Sequence, residues 1–219
     1  MTKNYPSENY YKNLNYYKDM HKNGYHLIDG RKRDAKNAYD GKSTLAFAPI
    51  IKKIITYENI NNMIDYGCGK GNFYRNAFNL EDKLIPPLRK FWDIDIKLYD
   101  PCYEKYSKFT KNETFDLTIC IDVLEHVPEA DIEWILERFS KISKKFIFIN
   151  VACYEAIALL PNGKNAHINI QKPNWWSNKI EKLIKNQKDV KIICICTVKD
   201  DGKIKHIPLE YGCKIKDYL

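Results

Sequence analysis

One ten-residue stretch, residues 62–71, constrains this chain of 219 residues more than any other. It begins with a mostly apolar run that ends at the acidic residue Asp65, and it continues with Gly67, Gly69 and Gly71. Glycines tolerate positive φ angles and let a ligand approach the backbone closely. A buried strand followed by such a turn makes room for a ligand against main-chain amides. The stretch therefore predicts a cofactor-binding turn at the end of a core strand.

The spacing of these glycines discriminates between cofactors. A dinucleotide fingerprint, G-x-G-x-x-G, would need its third glycine at position 72, where Asn72 stands. Here the third glycine comes one residue earlier, and Asp65 lies two residues before the first one. This arrangement leaves room for the end of a ligand on the turn, beside a carboxylate that can hold an ammonium group. The alternative is a tight turn with no ligand.

The pattern D-x-G-x-G-x-G at a strand end resembles motif I of the class I S-adenosylmethionine-dependent methyltransferases. The resemblance implies that the chain binds S-adenosyl-L-methionine and releases S-adenosyl-L-homocysteine. It also implies a Rossmann-like three-layer α/β sandwich with a mostly parallel seven-stranded sheet, a C-terminal antiparallel hairpin and an N-terminal helical lid. The cofactor-binding residues that it assigns to this motif are Asp65, Tyr66, Gly67, Cys68, Gly69 and Gly71.

A second strand, residues 94–99, ends in the acidic residue Asp100, which is followed by Pro101. In Rossmann-like folds such an acid accepts hydrogen bonds from ribose hydroxyls, because a carboxylate takes two donors at once. We therefore assign both residues to the cofactor site, with Asp95 as the alternative acid. Asp100 lies further from Gly67 along the chain than the usual 20 or so residues. A loop around Pro86 must accommodate the additional residues. We find only a very short third strand in residues 105–114, and the adenine-binding residue stays unassigned.

The string D-V-L-E-H-V follows a clear central strand, residues 115–122, and resembles the segment after that strand in many small-molecule methyltransferases. It lies where the topology places the open end of the sheet, facing the cofactor. Glu125 or His126 could position the cofactor or act on the acceptor, and His126 is a candidate catalytic residue. The alternative is that His126 only shapes the turn. The residues assigned to the cofactor here are Asp122, Val123, Leu124 and His126.

An insertion at about residues 152–178 follows the fifth predicted strand, residues 146–151. In the family that the chain resembles, this region usually builds the acceptor site, and His167 is our second candidate catalytic residue. The alternative is a histidine that is hydrogen-bonded in a structural turn. Adjacent tryptophans point in different directions on a helix, so one is expected in the core and one beside a pocket. The acceptor-site candidates here are Asn165, His167, Trp175 and Trp176.

Residues 1–44 are predicted to form an N-terminal helical extension, and residues 45–219 a single methyltransferase domain. Apolar and aromatic residues between 7 and 26 recur at helical spacing, namely Tyr10, Leu14, Tyr17 and His21. The family often uses such a helix as a lid, which makes Tyr17, His21 and Tyr25 candidates for ligand contact. The string Asp40-Gly41-Lys42-Ser43-Thr44 is no phosphate-binding loop, because position 36 is a lysine rather than the required glycine. Its Lys42 and Ser43 remain candidates to reach the active site.

The other elements follow from apolar periodicity and turn signals. We predict helices at residues 45–57, with Ser43 or Thr44 as the cap, at 72–80 and at 129–143. Residues 81–93 form a loop or a broken helix, and Trp175 and Trp176 begin a helix that runs to 184. The turn residues 200–202 predict a hairpin between strands 190–197 and 206–211. Strands that alternate with helices predict a doubly wound sheet.

Composition limits the cellular setting and the partners. No stretch approaches the roughly 18 apolar residues of a membrane span, and the N-terminus lacks a signal-peptide core, so we expect a cytoplasmic protein without membrane contact. Seven cysteines are scattered, and the Cys194-Ile195-Cys196 spacing does not fit a zinc site, so we predict no metal. The net charge of +8 indicates either an anionic partner or a solvated surface. The lysines are dispersed, which favours the solvated surface and argues against nucleic acid as a partner.

Three functions remain open from the sequence. The first is methyl transfer to an oxygen or nitrogen of a small molecule, plausibly anionic, such as a sugar or a phosphorylated or nucleotide-linked precursor of a surface glycan, including a capsule phosphoramidate. The second is RNA or nucleobase methylation. The sequence argues against it, because residues 122–125 occupy the position after the central strand where a base-holding N-P-P-Y motif would be expected. The third is non-catalytic cofactor binding. The identity of the acceptor and the oligomeric state do not follow from the sequence.

Overall fold

A six-stranded sheet forms the centre of the protein. The computed structural model describes residues 5–80, 82–110, 112–184 and 189–219. The sheet order is β6-β5-β4-β3-β1-β2, in which β1 to β5 are parallel and β6 pairs antiparallel with β5 at the edge. The strands are β1 (Asn62–Tyr66), β2 (Asp95–Tyr99), β3 (Phe115–Ile121), β4 (Ser143–Ala152), β5 (Lys191–Asp200) and β6 (Lys203–Tyr211).

Helices cover both faces of this sheet. Ile132, Phe139 and Trp176 pack in one apolar cluster, and Ile51 and Trp92 pack in another on the opposite face. Covered on both faces, β3 is buried along its whole length, as expected for a parallel strand. The helices are α1 (Glu8–Asn23), α2 (Ala48–Tyr57), α3 (Leu88–Trp92), α4 (Ile132–Ile142) and α5 (Pro173–Ile184).

The architecture confirms the predicted Rossmann-like α/β sandwich and its C-terminal antiparallel hairpin, but the strand count differs. The described residues give the main sheet six strands rather than seven. The very short strand predicted within 105–114 is not among them: a 3-10 turn, Glu104–Tyr106, begins that region, and residue 111 lies outside the described part. The polar residues there supply no apolar run that a sheet could bury.

The predicted helix at residues 72–80 is wrong. A 3-10 turn, Asn72–Tyr74, follows Gly71, and residues Phe78–Leu80 pair as a short antiparallel hairpin with Lys83–Ile85. Asparagine-rich sequence favours turns because its side chains compete for backbone groups, and the Asn76 amide indeed donates to the Asn72 carbonyl. The broken helix expected in 81–93 corresponds to α3, and residue 81 itself lies outside the described part.

Helix α2 begins later than predicted and without the predicted cap. A 3-10 helix, Lys42–Phe47, precedes it, and Pro49 lies in the first turn of α2. The Ser43 hydroxyl donates instead to the Asp122 carboxylate at 2.7 Å, which ties this segment to the end of β3. A second short hairpin, Tyr25–His26 with Lys32–Arg33, connects α1 to this region. In the described part of the chain, no helix has the length and apolar character needed to cross a membrane.

The two adjacent tryptophans of α5 differ in burial. Trp176 is fully buried in the cluster beneath α4 and α5, whereas Trp175 is partly exposed and packs its ring under the Lys179 ammonium. We expect Trp176→Ala to lower the free energy of unfolding by about 3–5 kcal/mol, because a large cavity is left. Urea denaturation measures this change. Trp175→Ala is the matched control, and an equal loss in both variants would contradict the assignment.

Candidate active site

A cavity lies where the carboxyl ends of β1, β2 and β3 meet helix α1. It opens to solvent, and its cavity volume is about 130 Å³. The amphipathic face predicted for the N-terminal helix faces this space, so α1 covers the cavity. The cofactor candidates among the lining residues are Tyr66, Gly67, Cys68, Gly69, Asp100, Pro101, Asp122, Val123 and His126, and the α1 residues are Tyr10, Asn13, Leu14, Tyr17 and His21.

The glycine turn after β1 depends on conformations that other residues avoid. Gly67 has φ +93° and Gly69 has φ +57°. A Cβ atom on Gly67 would lie 2.3 Å from a methyl group of Val123, and one on Gly69 would lie 2.2 Å from the Tyr39 carbonyl oxygen. The turn therefore packs too tightly for any side chain at these positions. Gly71 (φ +55°) lies behind the turn, against Leu98, and does not line the cavity.

The segment before α2 holds this turn from the other side. The Lys70 amide donates to the Tyr39 carbonyl at 2.7 Å, and the Asn72 amide donates to the Asp40 carbonyl at 3.0 Å. Tyr39 lines the cavity and packs against the rings of Tyr17 and His21. Sequence reasoning missed Tyr39, since no period or motif marks it. Of the two candidates in this segment, Ser43 lines the cavity, whereas Lys42 is exposed outside it.

Asp100 fastens the glycine turn to β2. Its carboxylate accepts hydrogen bonds from the amides of Gly69 and Cys102, both at 2.8 Å. Burial raises the pKa of Asp100. His21 Nε2 lies 4.0 Å from the carboxylate, but burial lowers the pKa of His21 to about 4, so the contact is not an ion pair at neutral pH. The buried His21 Nδ1 has no partner among the described residues.

Asp65 faces away from the cavity. Successive strand residues point to opposite faces, and here Tyr66 lines the cavity while the Asp65 carboxylate accepts a hydrogen bond from the Tyr74 hydroxyl at 2.7 Å. Burial raises the pKa of Asp65 to about 7, helped by Asp100 and opposed by the Tyr74 hydrogen bond. The geometry places Asp65 as a support beneath the turn, with no direct access to the cavity.

This buried acid predicts a dependence of stability on pH. The unfolded carboxyl group releases its proton near pH 4, whereas folded Asp65 keeps it until about pH 7, so stability should fall as pH rises through that interval. The loss can reach on the order of 4 kcal/mol. Asp65→Asn should remove the Asp65 share of the change in stability between pH 5 and pH 8, measured by urea denaturation, and the exposed Asp34→Asn should not. Buried His21 and His126, whose pKa values are lowered, shift stability with pH in the opposite direction in both proteins, so the comparison is between the two profiles. Identical profiles for wild type and Asp65→Asn would contradict this prediction.

The segment after β3 turns its acidic side chain toward the cavity. Asp122 has φ +60°, an unusual value for a residue with a side chain, and its carboxylate accepts from Ser43. Leu124 is fully buried in the core rather than at the cavity surface. Glu125 is also buried, and its Oε1 accepts from the Ala152 amide at 2.7 Å. Burial, reinforced by the nearby Asp122 carboxylate, raises the pKa of Glu125 well above its usual range.

Two histidines meet at the edge of the cavity. The rings of His126 and His167 lie 4.8 Å apart between centroids. His126 Nδ1 is 2.8 Å from the Tyr17 hydroxyl and 3.0 Å from the Ala166 carbonyl oxygen. His167 Nδ1 is 2.5 Å from the Tyr154 carbonyl oxygen. Burial, with the neighbouring His167, lowers the pKa of His126 to about 4, so its ring is neutral at neutral pH.

Together with Asp122, these residues form a compact group, which we call the His–Asp cluster (Asp122, His126 and His167). One potential ligand atom from each of the three side chains lies within 4.8 Å of those of the other two. The insertion after β4 thus brings His167 to the cavity edge. Asn165 has a supporting position: its side chain accepts from the His167 amide and bonds both backbone groups of Ala156.

The other acceptor candidates lie outside the cavity lining. Tyr25 packs on Tyr39 behind the lining, with ring centroids 5.3 Å apart. Both tryptophans belong to the packing of α5, and the described lining residues include neither. Sequence periodicity could not separate the two roles, since an aromatic residue suits a core and a pocket equally.

The charge of the cavity fits a positively charged ligand. Carboxylates of Asp100 and Asp122 line it, and the described lining residues include no lysine or arginine. S-adenosylmethionine carries a sulfonium and an ammonium group, which such a lining favours. Asp100, Asp122, the unpartnered His21 Nδ1 and the unpartnered Tyr66 hydroxyl are among the polar groups of the lining that could hold it.

Comparison with known proteins matches the part of the chain that contains this cavity. The model of a family described as a methyltransferase domain matches residues 30–185, which include the glycine turn, the end of β3 and the insertion with His167. Neither the curated proteins nor the solved structures yield a match to the chain. With the motif, the sheet topology and this match in agreement, the chain belongs to the methyltransferase domain family and is a class I S-adenosylmethionine-dependent methyltransferase.

Proposed function

We propose that this methyltransferase transfers a methyl group to an oxygen atom of a small-molecule acceptor that binds at the His–Asp cluster. The observation that carries the proposal is the convergence of Asp122, His126 and His167 within 4.8 Å at the edge of the cofactor cavity. Imidazole and carboxylate groups at this position can orient an acceptor and receive its proton. A nitrogen acceptor is the second possibility. The labelling experiment described below distinguishes oxygen from nitrogen by the atom of the product that carries the methyl group.

The protein's own contribution is alignment and proton transfer. The cofactor supplies a methyl group on a sulfonium, which is already activated for displacement. Holding an acceptor in line contributes up to roughly 7–11 kcal/mol, because a bimolecular step becomes effectively unimolecular. A hydroxyl acceptor also needs a base. His167 is the better candidate, since burial depresses the pKa of His126 and weakens that ring as a proton acceptor.

The cavity favours a small acceptor over nucleic acid. Helix α1 covers it, and binding of a nucleic acid backbone depends on lysine and arginine contacts, which the described lining does not supply. We propose a hydroxylated acceptor such as a sugar. A phosphorylated or nucleotide-linked precursor of a surface glycan, including a capsule phosphoramidate, fits only if positive charge reaches its phosphate from outside this lining. We also propose that the protein acts in the cytoplasm, where such precursors are made.

One experiment tests the function. The protein is incubated with methyl-labelled S-adenosylmethionine and a metabolite extract, and a product heavier by one methyl group is identified by mass spectrometry. Label on an oxygen of a small molecule supports the proposal. Label in RNA, with binding that falls steeply with salt, would favour nucleic-acid methylation. Cofactor binding without any labelled product would favour a non-catalytic protein.

A further inference from the structure

The two imidazoles of the His–Asp cluster are fixed in one tautomer by their surroundings. His167 Nδ1 faces the Tyr154 carbonyl oxygen at 2.5 Å, and His126 Nδ1 faces the Ala166 carbonyl oxygen at 3.0 Å. A carbonyl oxygen only accepts, so His167 Nδ1 carries the proton and its Nε2 carries a lone pair. His126 takes the same tautomer because the Tyr17 hydroxyl, 2.8 Å from its Nδ1, donates its one proton to the Ala166 carbonyl. Metal-binding histidines show this same pattern, in which the remote ring nitrogen donates to a backbone carbonyl.

A buried carboxylate oxygen beside the cluster lacks a partner. Glu125 immediately precedes His126 and is fully buried. Its Oε1 accepts from the Ala152 amide, and the group also interacts with the Asp122 side chain, but its Oε2 makes no further hydrogen bond among the described residues. Desolvating a carboxylate without compensation is costly, so such an oxygen calls for a proton or a cation nearby. Because Glu125 interacts with Asp122, this oxygen points to the same place as the cluster.

We propose that Asp122, His126 and His167 bind one divalent metal ion of the first transition row, with the Glu125 carboxylate beside it. Two imidazole nitrogens and one carboxylate oxygen suit such ions better than they suit magnesium or calcium. Three protein ligands leave coordination positions open, as in catalytic rather than structural sites. The cysteine spacing, which led to the expectation of no metal, is unrelated to this group.

The site would also explain how the cavity accommodates an oxygen-rich acceptor. Asp122 and His126 line the cavity, whose described lining includes no lysine or arginine. A cation at the cluster supplies the missing positive charge for a hydroxyl or phosphate group of the acceptor. This part of the inference rests on the proposed function. A histidine that holds the ion through Nε2 cannot also accept a proton there, so the metal site replaces the role of His167 as a base and does not add to it.

Metal content and metal titration test the inference. The purified full chain is analysed for metals by mass spectrometry, then treated with EDTA and titrated with Mn²⁺, Co²⁺ and Zn²⁺ by calorimetry, with Co²⁺ also followed by visible absorption. We expect one ion per chain. His167→Ala and Asp122→Asn should each weaken binding at least tenfold, whereas His206→Ala, on the exposed edge strand β6, should leave it unchanged. Circular dichroism melting verifies that each variant is folded.

Two results would overturn the inference: no stoichiometric binding of any of the three ions to the wild-type chain, or equal affinity in wild type and both cluster variants. Calorimetry with S-adenosylhomocysteine on the EDTA-treated protein distinguishes failure of the metal site from failure of the proposed function. If the cofactor product binds and no metal does, the methyltransferase proposal stands and the metal site falls. If a metal binds but neither cofactor nor product does, the proposed function fails and the metal site remains.

Discussion

Replacing Gly69 by alanine should abolish measurable binding of S-adenosylmethionine. The added Cβ would lie 2.2 Å from the Tyr39 carbonyl oxygen, and φ at this position is +57°. A left-handed conformation alone costs a side-chain-bearing residue roughly 1–2 kcal/mol, and a backbone oxygen cannot rotate away as a side chain can. The turn must therefore move, and this movement disrupts the hydrogen bond from the Gly69 amide to the Asp100 carboxylate. Calorimetry with S-adenosylhomocysteine should show affinity at least 100-fold below wild type.

Gly67 offers a sharper version of the same experiment. Its Cβ would collide with the Val123 methyl groups rather than with backbone. Gly67→Ala should therefore bind poorly alone and recover part of its affinity when combined with Val123→Ala, whereas no side-chain truncation removes the oxygen that faces Gly69. Gly163→Ala is the control, because its φ is +79° but open space surrounds it. If Gly69→Ala and Gly163→Ala bind the product equally well, the turn is not the cofactor cradle.

His167→Ala should lower kcat by about 10²–10⁴ on the acceptor identified from the extract, a range typical of lost general acid–base or electrophilic assistance. His167 belongs to the His–Asp cluster but does not line the cofactor cavity. The affinity for S-adenosylhomocysteine should therefore stay within about twofold of wild type. Steady-state kinetics and calorimetry measure the two quantities on the same preparation.

His206→Ala serves as the control for this variant, since that ring lies near Thr197 on the edge hairpin. A second variant, Asn165→Ala, tests positioning: loss of its bond to the His167 amide should displace the ring and reduce kcat less than His167→Ala does. Unchanged turnover in His167→Ala would show that the His–Asp cluster takes no part in methyl transfer. A parallel loss of cofactor affinity would instead place His167 in the cofactor site.

Local patterns predicted much of the fold because the features behind them are local. A parallel strand that is buried on both faces needs an apolar run, and a turn with positive φ needs glycine, so β1, β3 and the glycine turn could be read directly. The helix predicted at residues 72–80 failed because its asparagines prefer turns, and weak propensity there gave way to tertiary contacts such as the bond from Tyr74 to Asp65.

The amino-acid sequence by itself determined the fold class, the cofactor and the strand ends at which the cavity forms. Only the tertiary structure decided which side chains meet there. Tyr17, Tyr39, His126 and His167 come from separate segments, and no spacing along the chain encodes their contact. The alternation of side chains along β1 turned Asp65 away from the cavity and Tyr66 toward it. Patterns along the chain record local conformation, whereas a site depends on packing between segments distant in sequence.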